Sequence, residues 1–206
     1  VSVIAFDVNE TLLDLAPLDA LLGDSSTRSR WFALMLQVSF VGGLTGNYVD
    51  YPTAQRAALQ MLGLSGADDV VAQMRRLPPH RDVEPALDRL TDFTLVALTN
   101  SPLQVAIEQL ESAGIAGRFK TILSGDQVRA LKPRAAAYRL VADTLGVGMD
   151  QVRLVAAHGW DVSGALAAGC RAAFVRRPGQ AMIPVGPQPD VVGDDLVEVA
   201  DKICRA

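Results

Sequence analysis

Two cysteines in 206 residues, Cys170 and Cys204, are too few for a disulfide framework, and no metal-ligand spacing accompanies them. Both read as small apolar residues of a reduced, cytoplasmic protein. Long hydrophobic runs are missing too. The longest, Trp31 to Val41, contains Gln37 and Ser39, stops at Gly42-Gly43, and is too short to span a bilayer. The start has no charged segment followed by a cleavage site, so neither a signal peptide nor a membrane partner is expected. Basic runs are absent, and the net charge is -4, which argues against nucleic acid as a partner. There is no internal repeat and no low-complexity segment.

What is present is apolar and rhythmic. Half of the residues are hydrophobic, which suits one domain or one core domain carrying an insertion. Short runs rich in Val, Ile and Leu occur at Val3–Phe6, Thr94–Leu98, Thr121–Leu123, Arg153–Ala157 and Ala172–Val175. None alternates cleanly, as expected of strands buried on both faces. Helical segments lie between them at Leu103–Ala113, Arg134–Leu145 and Val162–Ala168, each followed by a glycine suited to a left-handed helix stop: Gly114, Gly146 and Gly169. Strand and helix in repetition predict an α/β fold, a Rossmann-like doubly wound parallel sheet. From Ala16 to Asp82 there is no strand signal, only helical patterns at Ser29–Val41, Pro52–Leu62 and Ala67–Leu77, ended by Pro78-Pro79. The expected division is a core of residues 1–15 and 83–206 with a helical cap inserted at 16–82. Pro178–Pro189 reads as a surface loop.

In an open parallel sheet, ligands bind beyond the carboxyl ends of the strands. The residues just past those ends are polar. They are Asp7, Asn9 and Thr11 after the first run, Thr99, Asn100 and Ser101 after the second, and His158, Trp160 and Asp161 after Arg153–Ala157. Lys132-Pro133 stands before the Arg134–Leu145 helix. Together they supply a carboxylate nucleophile, an orienting hydroxyl, a cation and a candidate base. Each has a plainer reading alone. Asp7 suits a turn, Thr99 to Ser101 and Asp161 suit helix N-caps, Lys132 suits a solvated surface, and His158 suits a structural hydrogen bond. Four strand ends carrying such residues in order favour the chemical reading.

These stretches resemble the motifs of the haloacid dehalogenase superfamily: FDVNETLLD, LTNS, LKP and VAAHGWDVSGA. The resemblance covers nearly the whole chain and implies a nucleophilic aspartate, here Asp7. Phosphatases of the superfamily use D-x-D, whose second aspartate protonates the leaving group, and they hold magnesium. Here the second position is Asn9, and an amide has no acidic proton to give. The motifs are more similar to the L-2-haloacid dehalogenases, which need no metal or other cofactor. A tyrosine stands six residues after their lysine, as Tyr138 does after Lys132, and Trp160-Asp161 matches their Trp-Asp pair. The resemblance implies that Asp7 displaces halide from C2 of a short 2-haloacid and that water then cleaves the ester. Thr11, Lys132 and Tyr138 would order Asp7. Ser101 or the helix amides near it would take the substrate carboxylate, with Asn9 and Thr99 beside it, and Asn100 would contact the halide. It also implies a homodimer.

Four positions depart from that family's pattern. Glu10 stands at a glycine position, Ala156 at a serine and His158 at an asparagine. Phe32 falls where a cap arginine holds the halide. The expected halide slot is therefore an apolar wall at Phe32 with Asn100, Trp160 and His158 as donors. The resemblance places activation of the hydrolytic water around Asp161; His158, three residues earlier, is the alternative acceptor of its proton, its ring then oriented by Asp161. A small-molecule phosphatase and a weakly active binding member are the competing readings.

Overall fold

The structure, a computed structural model, describes residues 3–205. The chain opens with β1 (Val3–Phe6) and then enters a helical segment: α1 (Asp19–Leu22), α2 (Ser25–Thr45), α3 (Tyr51–Met61) and α4 (Ala67–Gln73). It returns through α5 (Val83–Arg89), β2 (Thr94–Thr99), α6 (Leu103–Ser112), β3 (Thr121–Ser124), α7 (Ala135–Leu145), β4 (Val152–Ala156), α8 (Gly159–Ala167), β5 (Arg171–Val175), β6 (Val191–Gly193) and α9 (Leu196–Arg205). The six strands form one parallel sheet in the order β3-β2-β1-β4-β5-β6.

Continuous apolar strands arise because both faces of the sheet are covered. Successive side chains of a strand point to opposite faces. Ile4, Phe6, Leu95, Ala97, Val155 and Ala173 accordingly join a layer with α5, α6 and α9. Val3, Ala5, Val96, Leu98, Leu154 and Phe174 join the other, with α7 and α8. The glycines after α6, α7 and α8 have the expected positive φ: 73° at Gly114, 66° at Gly146 and 92° at Gly169.

Three helical boundaries differ from expectation. The long helix α2 starts at Ser25, earlier than Ser29, because the Asp24 carboxylate accepts from the Thr27 N–H at 2.7 Å and caps it. Asp161 is not an N-cap: α8 begins at Gly159, and His158 holds the cap position. The helix after β2 begins at Leu103 with Pro102 at its N-cap, and no side chain from Thr99 to Ser101 caps it.

The crossing between sheet and helical segment is itself built. Asp14 N–H donates to Pro78 O at 2.8 Å, and His80 N–H donates to Leu12 O at 2.9 Å. The outgoing and returning chains therefore run side by side at the edge of the site. The strand order reverses at β1, whose neighbours are β2 and β4. That is the crevice where an open α/β sheet binds its ligand, and Asp7 is the next residue. Among the described residues, no helix is long and apolar enough to cross a membrane.

Candidate active site

Asp7 leaves β1 with its N–H donated to Val155 O at 3.0 Å, which fixes the carboxylate between the ends of β1 and β4. Both of its oxygens are engaged. Thr11 Oγ1 donates to Oδ2 at 2.6 Å, and the same hydroxyl accepts from the Ala157 N–H at 2.9 Å, so its proton can only point at Asp7. Lys132 Nζ donates to Oδ1 at 2.8 Å. Burial alone would raise the pKa of Asp7; the Lys132 charge and the neighbouring His158 and Lys132 hydrogens outweigh it and hold the carboxyl well below its ordinary range. Asp7 is therefore an ionised carboxylate almost sealed from water, as an attacking oxygen requires.

Lys132 is fully buried and spends all three donors: Asp7 Oδ1, Asp161 Oδ2 at 2.6 Å and Leu98 O at 3.0 Å. Burial pushes its pKa down, but the two carboxylates push it up further, and the ammonium stays charged. Asp161 accepts from Tyr138 OH with Oδ1 at 2.6 Å. Its own pKa is raised, first by burial, and Lys132 only partly counters this. Tyr138 thus orders Lys132 through Asp161 and does not bond Asp7, contrary to the expectation. An ammonium already fills the gap between the two carboxylates. The fourth motif supplies one acid, Asp161, whose two oxygens are already bound to Lys132 and Tyr138, so these residues leave the magnesium of the related phosphatases few oxygen ligands. Among the described residues, no group of three His, Cys, Asp or Glu side chains is arranged to hold a metal ion.

The residues expected to meet substrate divide into two sets. Asn9, Thr99 and Asn100 have their polar groups spent inside the protein. Asn9 Oδ1 accepts from Gln109 Nε2 at 3.0 Å and its Nδ2 donates to Ser101 Oγ at 3.2 Å. Thr99 Oγ1 accepts from the Ser101 N–H. Asn100 exchanges hydrogen bonds with the Lys132 backbone at 2.7 and 3.0 Å and donates to Tyr51 OH. These three position Ser101 and Lys132. Phe32, Trp160 and His158 form the other set, a stack. The His158 ring lies between Phe32, at a centroid distance of 5.4 Å, and Trp160, at 5.3 Å, with interplanar angles of 15° and 24°. The Trp160 indole N–H is buried without a protein acceptor among the described residues.

The orientation of His158 corrects the sequence reading. Its ring does not face Asp161. Nε2 lies 2.6 Å from Glu10 Oε2, and Nδ1 lies 3.3 Å from Asp7 Oδ2 without the alignment of a hydrogen bond. Burial lowers the pKa of the ring, but the nearby carboxylates of Asp7 and Glu10 override it and push His158 up to about 9. At neutral pH the resting ring is an imidazolium, so it is not poised as a base in the free enzyme.

Glu10, Gln109 and Tyr51 lie outside the expected site. Glu10 is visible in the sequence only as a departure from a pattern, and its partner is far away along the chain. Gln109 and Tyr51 sit on helical faces, where a polar residue in an apolar stripe is the available signal. Beside the site, a cavity of about 600 Å³ is lined by Phe40, Tyr48, Arg129, Lys132 and Arg134, among others.

Comparison with known proteins agrees with this geometry. Residues 1–169 match the family model for haloacid dehalogenase-like hydrolases. Haloacetate dehalogenase H-2 of Moraxella sp. (strain B) is 28% identical over 206 residues, covering 92% of each chain. A phosphoglycolate phosphatase of Vibrio vulnificus (strain YJ016) is 27% identical over 222 residues, covering 98% of this chain and 96% of its own. The L-2-haloacid dehalogenase structure from Xanthobacter autotrophicus superposes with a TM-score of 0.89 at 25% identity, over 99% of this chain and 98% of the other.

Proposed function

The chain belongs to the haloacid dehalogenase-like hydrolases, and on that premise we propose that it hydrolyses the carbon–halogen bond of a short 2-haloacid through an ester on Asp7. In this reading residues 16–82 form the cap over a core of 1–15 and 83–206. Relatives of comparable identity include both dehalogenases and phosphatases, so the choice between them rests on the site. The observation that carries it is Asn9. Its amide is locked between Gln109 and Ser101, where a phosphatase of this fold needs an acid to protonate a leaving alkoxide. A halide leaves as an anion and needs no such proton.

Asp7 attacks C2, the C–O bond forms, and the halide departs with the bonding pair. Thr11 and Lys132 aim the carboxylate. Ser101, at the amino end of α6, takes the substrate carboxylate. The unpaired Trp160 N–H offers the halide a donor, with Phe32 as an apolar wall. Water then adds to Cγ of Asp7 and releases the 2-hydroxyacid. In this reading no metal takes part in either step, so the reaction is expected to survive a chelator.

A panel of 2-haloacids and phosphate esters, assayed with and without magnesium, tests the substrate class. A single turnover in oxygen-18 water tests the ester: label is expected in Asp7 and not in the product of that first turnover. Turnover of phosphate esters alone, restored by magnesium after chelation, would sink the dehalogenase reading in favour of the phosphatase.

A further inference from the structure

Asn100 has no donor left for a halide. Both of its amide hydrogens are spent, one on Lys132 O at 3.0 Å and one on Tyr51 OH at 3.1 Å. The second bond moves the question to Tyr51. An amide nitrogen only donates, so the phenol oxygen accepts and its own proton points elsewhere. Among the described residues no acceptor takes that proton. Tyr51 is nonetheless buried, with 4% of its surface exposed. A buried hydroxyl hydrogen without an acceptor costs stability, and a ligand that accepts it removes the cost.

The hydroxyl is held firmly. Tyr51 is the first residue of α3, whose start is set by Pro52 and by Asp50, which accepts from the Thr53 N–H at 2.8 Å. Helix α3 is tied to α2 by Trp31 Nε1, which donates to Gln55 O at 3.1 Å. The next residue of α2 is Phe32, whose ring covers His158. On the core side Asn100 is clamped in turn, accepting from the Lys132 N–H at 2.7 Å, and the Lys132 ammonium holds Asp7. The phenol thus stands one amide away from the residue that aims the nucleophile.

We propose that the Tyr51 hydroxyl hydrogen-bonds the departing halide and, with the Trp160 N–H, forms a two-donor slot that acts most strongly on the smaller halides. The role rests on the ester reading above and assigns the leaving-group contact within it. One donor comes from α3 in the helical segment and the other from α8 in the core, and neither has spent its hydrogen on an acceptor among the described residues. Phe32 carries no charge, so neutral donors must meet the anion. As an Asp7 oxygen bonds to C2, the carbon–halogen bond breaks and the halide leaves with both electrons. No proton moves; the phenol shares its hydrogen and keeps it. Burial, with the charges of Asp7, Asp161 and Glu10 added to it, pushes the phenol above its ordinary range, and the Asn100 bond offsets only part of this. That same bond polarises the O–H toward the leaving anion. The attraction grows as the ion becomes smaller and approaches more closely, so it strengthens from bromide to chloride to fluoride.

A plainer role would make the hydroxyl an anchor for Asn100 alone. Loss of an anchor would loosen Lys132 and slow every substrate by the same factor.

The test uses the whole chain with 2-chloropropionate and 2-bromopropionate, two substrates that differ only in the halogen. Tyr51→Phe deletes one oxygen and keeps the ring, and circular dichroism establishes that it is folded. In the first turnover it is expected to slow chloride release about tenfold, the worth of a hydrogen bond to a charged group, and bromide release by clearly less. Hydrolysis of the Asp7 ester, followed by mass spectrometry, should keep its native rate. Added sodium chloride should inhibit the variant more weakly than the native enzyme. Equal losses for the two halides would overturn the proposal in favour of the anchor. A rise in KM alone would overturn it by assigning the hydroxyl to the substrate carboxylate, and so would unchanged release of both halides. If the native enzyme releases no halide from any 2-haloacid, the ester reading itself fails, and the slot falls with it.

Discussion

At the scale of single residues, Lys132 sets the chemistry more than any other side chain. It is a fully buried ammonium held by two buried carboxylates and a backbone carbonyl. Such a cluster contributes little net stability when intact, because desolvation offsets the attraction, but removing one member strands the others. Lys132→Ala would leave Asp7 and Asp161 facing each other without a cation. It is expected to destabilise the fold by about 3–5 kcal/mol and to reduce turnover at least a thousandfold, read by chemical denaturation and chloride release. Asn9→Asp makes a second residue-scale test. It would place a carboxylate between Gln109 and Ser101, with Asp7 close by in sequence, yet Asp161, the fourth-motif acid a metal would need, would still have both oxygens bound to Lys132 and Tyr138. The variant is expected to gain no phosphatase activity, with or without magnesium, on a panel of phosphate esters. Most of these residues are legible in the sequence because strand ends in a parallel sheet are where polar residues are out of place. Glu10 is not legible as a partner of His158. Nothing local to a turn residue says which side chain it will reach, and only the fold brings the β1 turn against the β4 end.

At the scale of elements, the site depends on how closely α8 lies against the loop before α7. Gly164 on α8 makes that approach possible. A Cβ there would fall 2.5 Å from Pro133 Cβ and 2.5 Å from Tyr138 OH. Both neighbours belong to the segment that carries Lys132, and the Tyr138 hydroxyl is bonded to Asp161. Gly164→Ala is expected to push α7 away, lengthen the Tyr138–Asp161 contact, and cost about 1–3 kcal/mol as overpacking does. Turnover should fall with it, while Gly117→Ala, whose added Cβ has nothing within 4 Å, should leave both melting temperature and turnover unchanged. The same scale shows what the sequence reading finds and misses. Five strands are readable because burial on both faces makes them continuous apolar runs. The sixth, Val191–Gly193, is three residues long and follows a Pro- and Gly-rich loop, too short for any period to show. The helix α5 contains Pro85 and spans seven residues, so its pattern is also weak. By contrast α9 carries Leu196, Val199, Ala200 and Ile203 on one buried face, a legible helical spacing that the expectation overlooks.

At the scale of the whole molecule, the His158 ring is the place where separately built parts meet. Phe32 comes from α2 in the helical segment, Glu10 from the turn after β1, Trp160 from α8, and Gln180 reaches Glu10 from the loop after β5. The charge on this ring should therefore be felt in global stability as well as in rate. Folding raises the pKa of His158 from 6.5 to about 9. A group whose pKa is raised in the folded state binds its proton more tightly there. Its contribution is complete below about pH 6.5 and is lost as pH climbs through about 9. Each tenfold gain in proton affinity is worth about 1.4 kcal/mol, so the loss amounts to roughly 3 kcal/mol. Cys170, pushed up to about 11 by burial, erodes stability in the same direction but only at higher pH. The window between pH 6.5 and 9 thus belongs to His158. Urea denaturation across that window is expected to show a falling free energy of unfolding in the native chain. In Glu10→Gly with His158→Asn, which removes the anion and the titrating ring together, the curve should be nearly flat over the same range. A native curve that is flat, or a double variant that still falls as steeply, would mean that the ring is not held as an imidazolium between Glu10 and Asp7.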